Sequence, residues 1–349
     1  MRNRYDTRLR NRLATMKFLK ILLSILLTVV LLVTVSLTVM FIIYPRSETY
    51  VETQDHPYMN WMHDYINQDT LLKDVVIPGS HDSGSANLDG SMFAMARYLL
   101  ACQNSSIKQQ LEAGVRYFDL RTMLEDGDLY IQHADYVCQK FSTVVEEINE
   151  YIKNQKDFLI LNMQHFTTDE AMTETYKYLV DNIDNFESLC ITHEQRDFAT
   201  LTLAKIDQLG KRLLIIWGSD VKPDSDFLFD SGKKSKTYET LYSPYIGEIH
   251  ASTDEELIAQ FDKYIEESKL YDGLFNLQCQ RTWSKKEFLM GPEQLEKRFS
   301  DKAKNYLESL TKEQLDCINI IHRDFVTSED KILTILKLNE KKGNTVKAF

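Results

Sequence analysis

The sequence predicts an α/β fold, a mostly parallel sheet with helices between its strands, behind a single N-terminal transmembrane helix. Three observations predict it. Ile21–Tyr44 is an apolar run without a charge, short apolar runs alternate with helical patterns after it, and no repeat, low-complexity tract or Pro/Gly-rich linker interrupts residues 60–338.

In the first segment, Arg2, Arg4, Arg8, Arg10, Arg12, Lys17 and Lys20 stand against one acid, Asp6, before the run ILLSILLTVVLLVTVSLTVMFIIY. At ~1.5 Å per residue the run makes a helix of roughly 36 Å, longer than a hydrocarbon core of ~30 Å. Apolar residues all round it leave no polar face for a soluble core. A cleaved signal peptide would have a shorter apolar stretch followed by small residues. Here YPRSETYVETQD follows, so the run reads as a signal anchor. The bases before it, with Glu48, Glu52 and Asp55 after it, place the N-terminus in the cytosol and the rest outside. The expected organisation is a basic cytoplasmic segment at 1–20, the anchor at 21–44, a juxtamembrane stretch at 45–70 and one catalytic domain at 71–340.

Composition narrows the function. Net charge is −11, and the first 44 residues carry +6, which leaves −17 for the body. So acidic a body disfavours a nucleic-acid partner, and charge will not hold it on an anionic bilayer. Proximity to lipid falls to the anchor. Cys102, Cys138, Cys190, Cys279 and Cys317 form no CxxC pair and hence no zinc-ligand spacing. Outside a cell they permit one or two disulfides; buried free thiols are the alternative.

Strands are expected at Val75–Ile77, Val115–Leu120, Leu129–Ile131, Phe158–Met163, Leu213–Trp217, Leu274–Leu277 and Cys317–Ile321. Helical spacing predicts Ser105–Ala113, Thr143–Lys153, Glu170–Asn182, Phe198–Leu209, Asp254–Glu267, Pro292–Leu310 and Ser328–Leu338. This alternation suits a closed barrel, whose chemistry gathers at the C-terminal ends of its strands. An open doubly wound sheet fits nearly as well, although no GxGxxG or P-loop supports one.

What ends each strand is informative. VVIP runs into Gly79-Ser80-His81-Asp82-Ser83-Gly84, the second strand ends in Asp119-Leu120-Arg121, the third in His133 and the last in His322-Arg323-Asp324. Singly, each has a structural reading: a strand-end hydrogen-bonder, a turn cap for Asp82, an ion pair of Arg121 with Asp119 or Glu125. Together they place histidines, carboxylates and an arginine on one rim. His56, His63, His193 and His250 have no such context and are read as structural.

IPGSHDSG at 77–84, SIKQQLEAGVRYFDLR at 106–121, LYIQH at 129–133 and FSTVVEEINEYIKNQKDFLILNMQHF at 141–166 resemble the X domain of phosphatidylinositol-specific phospholipases C. INIIHRDFV at 318–326 is similar to the late strand that supplies an aspartate in bacterial-type and X-domain-only members. The resemblance implies a distorted, incompletely closed (β/α)8 barrel. It also implies roles. His81 would be the general base that deprotonates the inositol 2-hydroxyl, which attacks phosphorus to form a cyclic phosphate. His133 would be the general acid for the diacylglycerol oxygen. Asp324 would hold the His81 tautomer, Asp82 that of His133, and Arg121, steadied by Asp119, would neutralise the phosphoryl oxygens. Positioned acid–base groups are worth ~10²–10⁴-fold, and an imidazole serves either role near neutral pH. Because Arg121 stands where calcium-dependent members bind their cation, the expectation is chemistry without a metal or other cofactor.

The match departs from the bacterial pattern at two positions. Gln164 stands in place of a lysine, and Trp217 in place of an arginine that binds inositol hydroxyls; both are expected to meet substrate, with core packing the alternative for Trp217. His165 is expected to be structural. The substrate expected is phosphatidylinositol or a glycosylphosphatidylinositol-like lipid. A glycerophosphodiester phosphodiesterase is a second reading, disfavoured because the second strand lacks the glutamates of its metal site. A catalytically silent lipid-binding domain is a third.

Overall fold

The computed structural model describes residues 2–43, 56–86, 94–134, 136–219, 222–231, 240–247, 253–284, 287, 290–328 and 330–349. The chain divides into two units, Met1–Ser47 and Glu48–Phe349. The first is a helix, Arg2–Ile43, within which Thr15–Val39 is long and apolar enough to cross a membrane and is not buried by the protein. The hydroxyls of Thr28, Thr34 and Thr38 donate to the carbonyls of Ser24, Val30 and Thr34, so these polar groups are satisfied within the helix. Tyr44, at the end of the expected anchor, and residues 45–55 lie outside the described residues.

In the second unit the strands are β1 (Ile77–Ser80), β2 (Tyr117–Glu125), β3 (Asp128–His133), β4 (Tyr136–Lys140), β5 (Leu159–Gln164), β6 (Leu213–Gly218), β7 (Leu228–Asp230), β8 (Leu241–Tyr242), β9 (Leu274–Gln278) and β10 (Ile320–Arg323). Their order is β7-β6-β5-β2-β1-β10-β9-β8, with every neighbour on this path parallel. The sheet curls with helices against it, and among the described residues no pairing joins β7 to β8. This is the distorted, incompletely closed barrel; the doubly wound alternative is not observed.

Local chemistry explains the flanking elements. Helix Ile107–Ala113 starts at a Ser106/Gln109 capping box and stops at Gly114, whose φ of +116° suits a residue without a Cβ. Helix Phe141–Asn154 turns Phe141, Val144, Val145, Ile148 and Ile152 onto the sheet, as its spacing requires. Gly79 in β1 is needed for close approach. A Cβ there would meet His322 Cβ and the Tyr117 ring at 2.9 Å, blocking the pairing of β1 with β2 and β10.

Several expectations are corrected. Leu129–Ile131 is not a barrel strand. It lies in β3, in an antiparallel β2–β3–β4 sheet beside the barrel. The cause is the Asp126-Gly127 turn, with φ of 51° and 87°, a two-residue hairpin signal that strand alternation obscured. β1 and β10 each start later than the expected strands, and Leu203–Gln208 is shorter than the expected 198–209 helix. β7 and β8 were not anticipated, because strands of three and two residues carry no period. All five cysteines are free thiols, four of them buried.

The compact unit also exceeds 71–340 at both ends. Trp61 is fully buried, and Phe349 stacks on Tyr65 with ring centroids 4.6 Å apart. Beneath this closure lies a buried ion pair, Arg116–Asp157, both side chains at 0 % exposure. Arg116 also donates to the carbonyls of Leu111, Val115, Tyr58 and Met59, while Asp157 accepts from the backbone N–H groups of Met62 and His63. His63 bridges Asp157 and Asp207 at 3.0 and 2.7 Å. The pair therefore ties the 58–63 segment to β2 and β5. Removing one partner strands a buried charge, so Asp157→Ala is expected to lower the unfolding free energy by about 3–5 kcal/mol. Denaturant unfolding of the full chain in detergent measures this. Asp184→Ala, which breaks an exposed pair with Lys153, should leave it nearly unchanged.

Candidate active site

Pleating selects what each strand presents. Along β2, residues 117, 119 and 121 share a face, so Tyr117, Asp119 and Arg121 point into the barrel mouth. In β5 the same alternation turns Asn162 and Gln164 inward; Gln164 pairs in register with Arg121. The turn after β1 delivers His81 and Asp82, the latter at φ +43°, a conformation aspartate tolerates better than most residues. That turn is pinned to β2: Ser83 N–H donates to Asp119 O, Asp119 N–H to Ser83 Oγ, and Asp82 N–H to Asp119 Oδ2. Gln103 fixes the loop from behind, donating to the carbonyls of His81 and Arg323. β3 ends on His133, and β10 runs into Asp324.

These side chains meet in a cavity of about 500 Å³. His81 Nδ1 lies 2.7 Å from Asp324 Oδ1, and its Nε2 is 3.1 Å from Arg121 Nη2. Arg121 donates to Asp119 Oδ2 at 2.8 Å, while its Nε lies 2.7 Å from Asp82 Oδ1 as an ion pair without directed hydrogen-bond geometry. Asp82 Oδ2 is 3.5 Å from His81 Nε2 and 3.4 Å from His133 Nε2. His133 Nδ1 is 2.6 Å from the Leu100 carbonyl. The expected cluster of His81, Asp82, Asp119, Arg121, His133 and Asp324 is thus one constellation.

Charge sets the protonation pattern. Burial alone would depress the His81 pKa, but the Asp324 and Asp82 carboxylates and the Asp324 hydrogen bond outweigh it, against opposition from Arg121, and hold it up at about 9. The Arg121 donor at Nε2 pulls the other way, towards the neutral imidazole. Two carboxylates against one guanidinium decide for the raised value. Burial would raise the Asp119 pKa, yet Arg121, His81 and hydrogen bonds from Arg121 and Gln164 keep it far below the usual carboxylate range. Arg121 is correspondingly raised: burial lowers its pKa, and Asp119 and Asp82 more than compensate.

Asp82, Trp217 and His165 differ from the sequence expectation. Asp82 does not sit behind His133; the Leu100 carbonyl takes that place at Nδ1, and Asp82 faces the Nε2 of both histidines. Gln164 lines the cavity and donates to Asp119 Oδ1 at 2.5 Å, bracing that carboxylate. Trp217 is fully buried, packs on Phe166 and Tyr176, and does not line the cavity. It pairs in register with Met163 on the outward phase of the pleat, whereas Asn162 and Gln164 take the inward phase. His165 does line the cavity.

Sequence reasoning missed a neutral floor beneath the charged cluster. Asn162 and Asn276 both donate to the Tyr117 hydroxyl, and Asn276 Nδ2 lies 3.0 Å from His322 Nδ1. Burial and its neighbours His81 and Arg121 push the His322 pKa well down, so it is a neutral imidazole; its Nε2 has no hydrogen-bond partner. Cys102 was also missed. Its Sγ is 3.8 Å from Asp82 Oδ2 and 3.9 Å from His133 Nδ1. Burial and the Asp324 and Asp82 charges push its thiol pKa well up. Pleat alternation would have flagged the β2, β5 and β9 residues; nothing in the sequence marks Cys102.

The family model described as phosphatidylinositol-specific phospholipase C, X domain, matches residues 75–218. The chain is 24% identical over 278 residues to the 1-phosphatidylinositol phosphodiesterase of Listeria monocytogenes, spanning 78% of this chain and 82% of that one. It is 26% identical over 301 residues to PI-PLC X domain-containing protein 3 of Mus musculus, spanning 77% and 88%. Among solved structures, phosphatidylinositol-specific phospholipase C from Listeria monocytogenes shares the fold with a TM-score of 0.61 at 22% identity, over 80% of this chain and 98% of that one. The F249X mutant of the Staphylococcus aureus phospholipase gives 0.60 at 16%, over 80% and 97%. The matched segment spans β1 to β6 and carries His81, Asp82, Arg121 and His133, and over it this chain is similar to the phosphatidylinositol-specific phospholipase C X domain.

Proposed function

We propose that this chain is a membrane-anchored phosphodiesterase that cleaves phosphatidylinositol, or a glycosylphosphatidylinositol-like lipid, between phosphate and diacylglycerol. The observation that carries the reading is the pair of imidazoles turned towards one carboxylate, Asp82, with Arg121 beside them. His81, its tautomer held by Asp324, takes the proton of the inositol 2-hydroxyl. The oxygen attacks phosphorus and closes a five-membered cyclic phosphate. His133 gives a proton to the departing diacylglycerol oxygen, and Asp82 stabilises the charge on both rings. Arg121 is the fixed cation for the phosphoryl oxygens, its fork held by Asp119, which Gln164 braces. Water can then open the cyclic phosphate with the two histidines exchanging roles.

A lipid substrate is supported by the apolar residues of the cavity lining, Leu99, Leu100, Pro292 and Leu295, with Tyr245 and Trp283 half-exposed there. The N-terminal helix supplies the anchor, with residues 1–20 cytoplasmic and the catalytic unit outside. No nucleic acid is expected as partner, since the body is acidic.

The test is an assay of the full chain in mixed micelles against a phospholipid panel, with and without chelator. Diacylglycerol release from phosphatidylinositol, indifferent to chelator, is expected, and His81→Ala or His133→Ala should each lower it ~10²–10⁴-fold. Turnover that requires a divalent cation would remove Arg121 from its role, and no turnover on any lipid would leave a silent binding domain.

The pH profile carries a second prediction. A base must be unprotonated, so kcat/KM should rise with pH as His81 loses its proton, with an acid limb near its pKa of about 9. Asp324→Asn removes a charge that raises this pKa. The limb should then move to lower pH while the plateau falls; an unmoved limb would assign it to another group.

A further inference from the structure

We propose that Asp82, Cys102 and His133 form a binding site for one Zn²⁺ ion in the wall of the catalytic cavity, and that zinc there switches the enzyme off. The three residues come from different parts of the chain, so no motif spacing announces them. Among the described residues they form one of two groups whose ligand atoms lie within 4.8 Å of one another.

The distances suit zinc. Asp82 Oδ2 is 3.4 Å from His133 Nε2 and 3.8 Å from Cys102 Sγ. Tetrahedral zinc with Zn–N ~2.0–2.1 Å, Zn–O ~2.0–2.2 Å and Zn–S ~2.3 Å places its ligand atoms ~3.3–3.6 Å apart, so these two separations need to close by at most a few tenths of an ångström, and the third, between Cys102 and His133, starts within 4.8 Å.

Orientation is the stronger argument. His133 Nδ1 donates to the Leu100 carbonyl at 2.6 Å, so Nε2 is the nitrogen turned to the Asp82 carboxylate. Nε2 and Asp82 Oδ2, 3.4 Å apart, are bridged by whatever cation lies between them, so a proton and a metal ion compete for one place. A backbone carbonyl holding the far nitrogen is also the usual outer support of a metal-ligating histidine. Asp82 Oδ1 faces Arg121, while Oδ2 faces His133 Nε2 at 3.4 Å and His81 Nε2 at 3.5 Å, so zinc on Oδ2 also displaces the contact with His81. His133 and Cys102 both line the cavity, so a fourth position opens to water or substrate.

The second group, His81, Cys102 and Asp324, is less suited. Both His81 nitrogens are engaged, Nδ1 with Asp324 at 2.7 Å and Nε2 with the Arg121 guanidinium at 3.1 Å. A thiolate ligand favours zinc over magnesium or calcium. Binding is a coordination step without redox change: Cys102 releases its thiol proton to solvent, and Sγ, Nε2 and Oδ2 each donate a pair to the metal. The binding claim stands on geometry alone. The inhibitory claim rests on the proposed role of His133, because zinc occupies the nitrogen that carries the proton for the leaving group.

The experiment titrates ZnCl₂ into the detergent-solubilised full chain by calorimetry, for wild type, Cys102→Ser and Cys102→Ala, with Co²⁺ absorption spectra of each. One saturable site is expected in wild type, with a thiolate-to-cobalt charge-transfer band. Both variants should lose the band and bind zinc at least ~100-fold more weakly, since outer partners alone cost up to that much. Zinc should inhibit wild-type lipid cleavage, a chelator should reverse this, and the inhibiting concentration should rise in the variants by the same factor, each read against its own zinc-free rate. No saturable binding, or a cobalt spectrum without the thiolate band, overturns the site from wild type alone, even if a variant fails to fold. Equal zinc affinity in folded variants overturns it as well. Tight, Cys102-dependent zinc binding without loss of turnover overturns the inhibition. The same binding in a protein that cleaves no lipid would uphold the site and sink the proposed function.

Discussion

One guanidinium organises the site. Arg121 lies between Asp119 and Asp82 and touches His81, so a single cation balances two buried carboxylates and borders an imidazole. Without it those carboxylates would lose the charge that makes their burial tolerable, and Asp82 would have no fixed position between the histidines. Such a cluster is expensive to desolvate and persists only with its hydrogen bonds complete. Gln164, the Asp82 N–H and Arg121 satisfy the Asp119 carboxylate, while Asp82 Oδ1 has the Arg121 ion pair. The charge proposed to bind phosphate is therefore built into β2, one residue from the strand's buried interior.

The fold exists to hold that arrangement. Parallel pairing of β2 with β1 and β5 sets Asp119, Arg121, Gln164 and the His81 turn in register, and Gly79 lets the strands approach closely enough. His133 arrives by another route. β2 continues past the barrel into the Asp126-Gly127 hairpin, and β3 returns with His133 at its end. His133 and His81, the proposed acid and base, thus hang on the same strand, one through its hairpin and one through the turn clamped to it. Asp324, at the far end of the chain, completes His81 only because β10 pairs with β1.

Much of this could be read from residue order. Strand ends carrying His81, Arg121, His133 and Asp324 point to one rim, and helical periods identify most of the longer helices within a few residues. The failures have physical causes. β3 looks like a barrel strand because a half-buried hairpin arm and a barrel strand share a two-residue period. Trp217 looks like a ligand-binding residue when aligned by position, but the inward or outward phase of β6 depends on pairing with β5, which sequence does not display. Asp82 was assigned behind His133 by analogy, whereas Leu100 holds that nitrogen through a backbone carbonyl, a group every residue possesses. Cys102 escapes because only tertiary packing brings it to Asp82 and His133.

The central claim is that two imidazoles and one guanidinium carry out an internal attack by the inositol 2-hydroxyl. Time-resolved phosphorus NMR of phosphatidylinositol cleavage by the full chain in chelator-treated mixed micelles tests it most directly. The account predicts that a five-membered cyclic inositol phosphate appears first and that the open monophosphate follows it. An open monophosphate formed first, with no cyclic species preceding it, would mean that water attacks directly and would contradict the account.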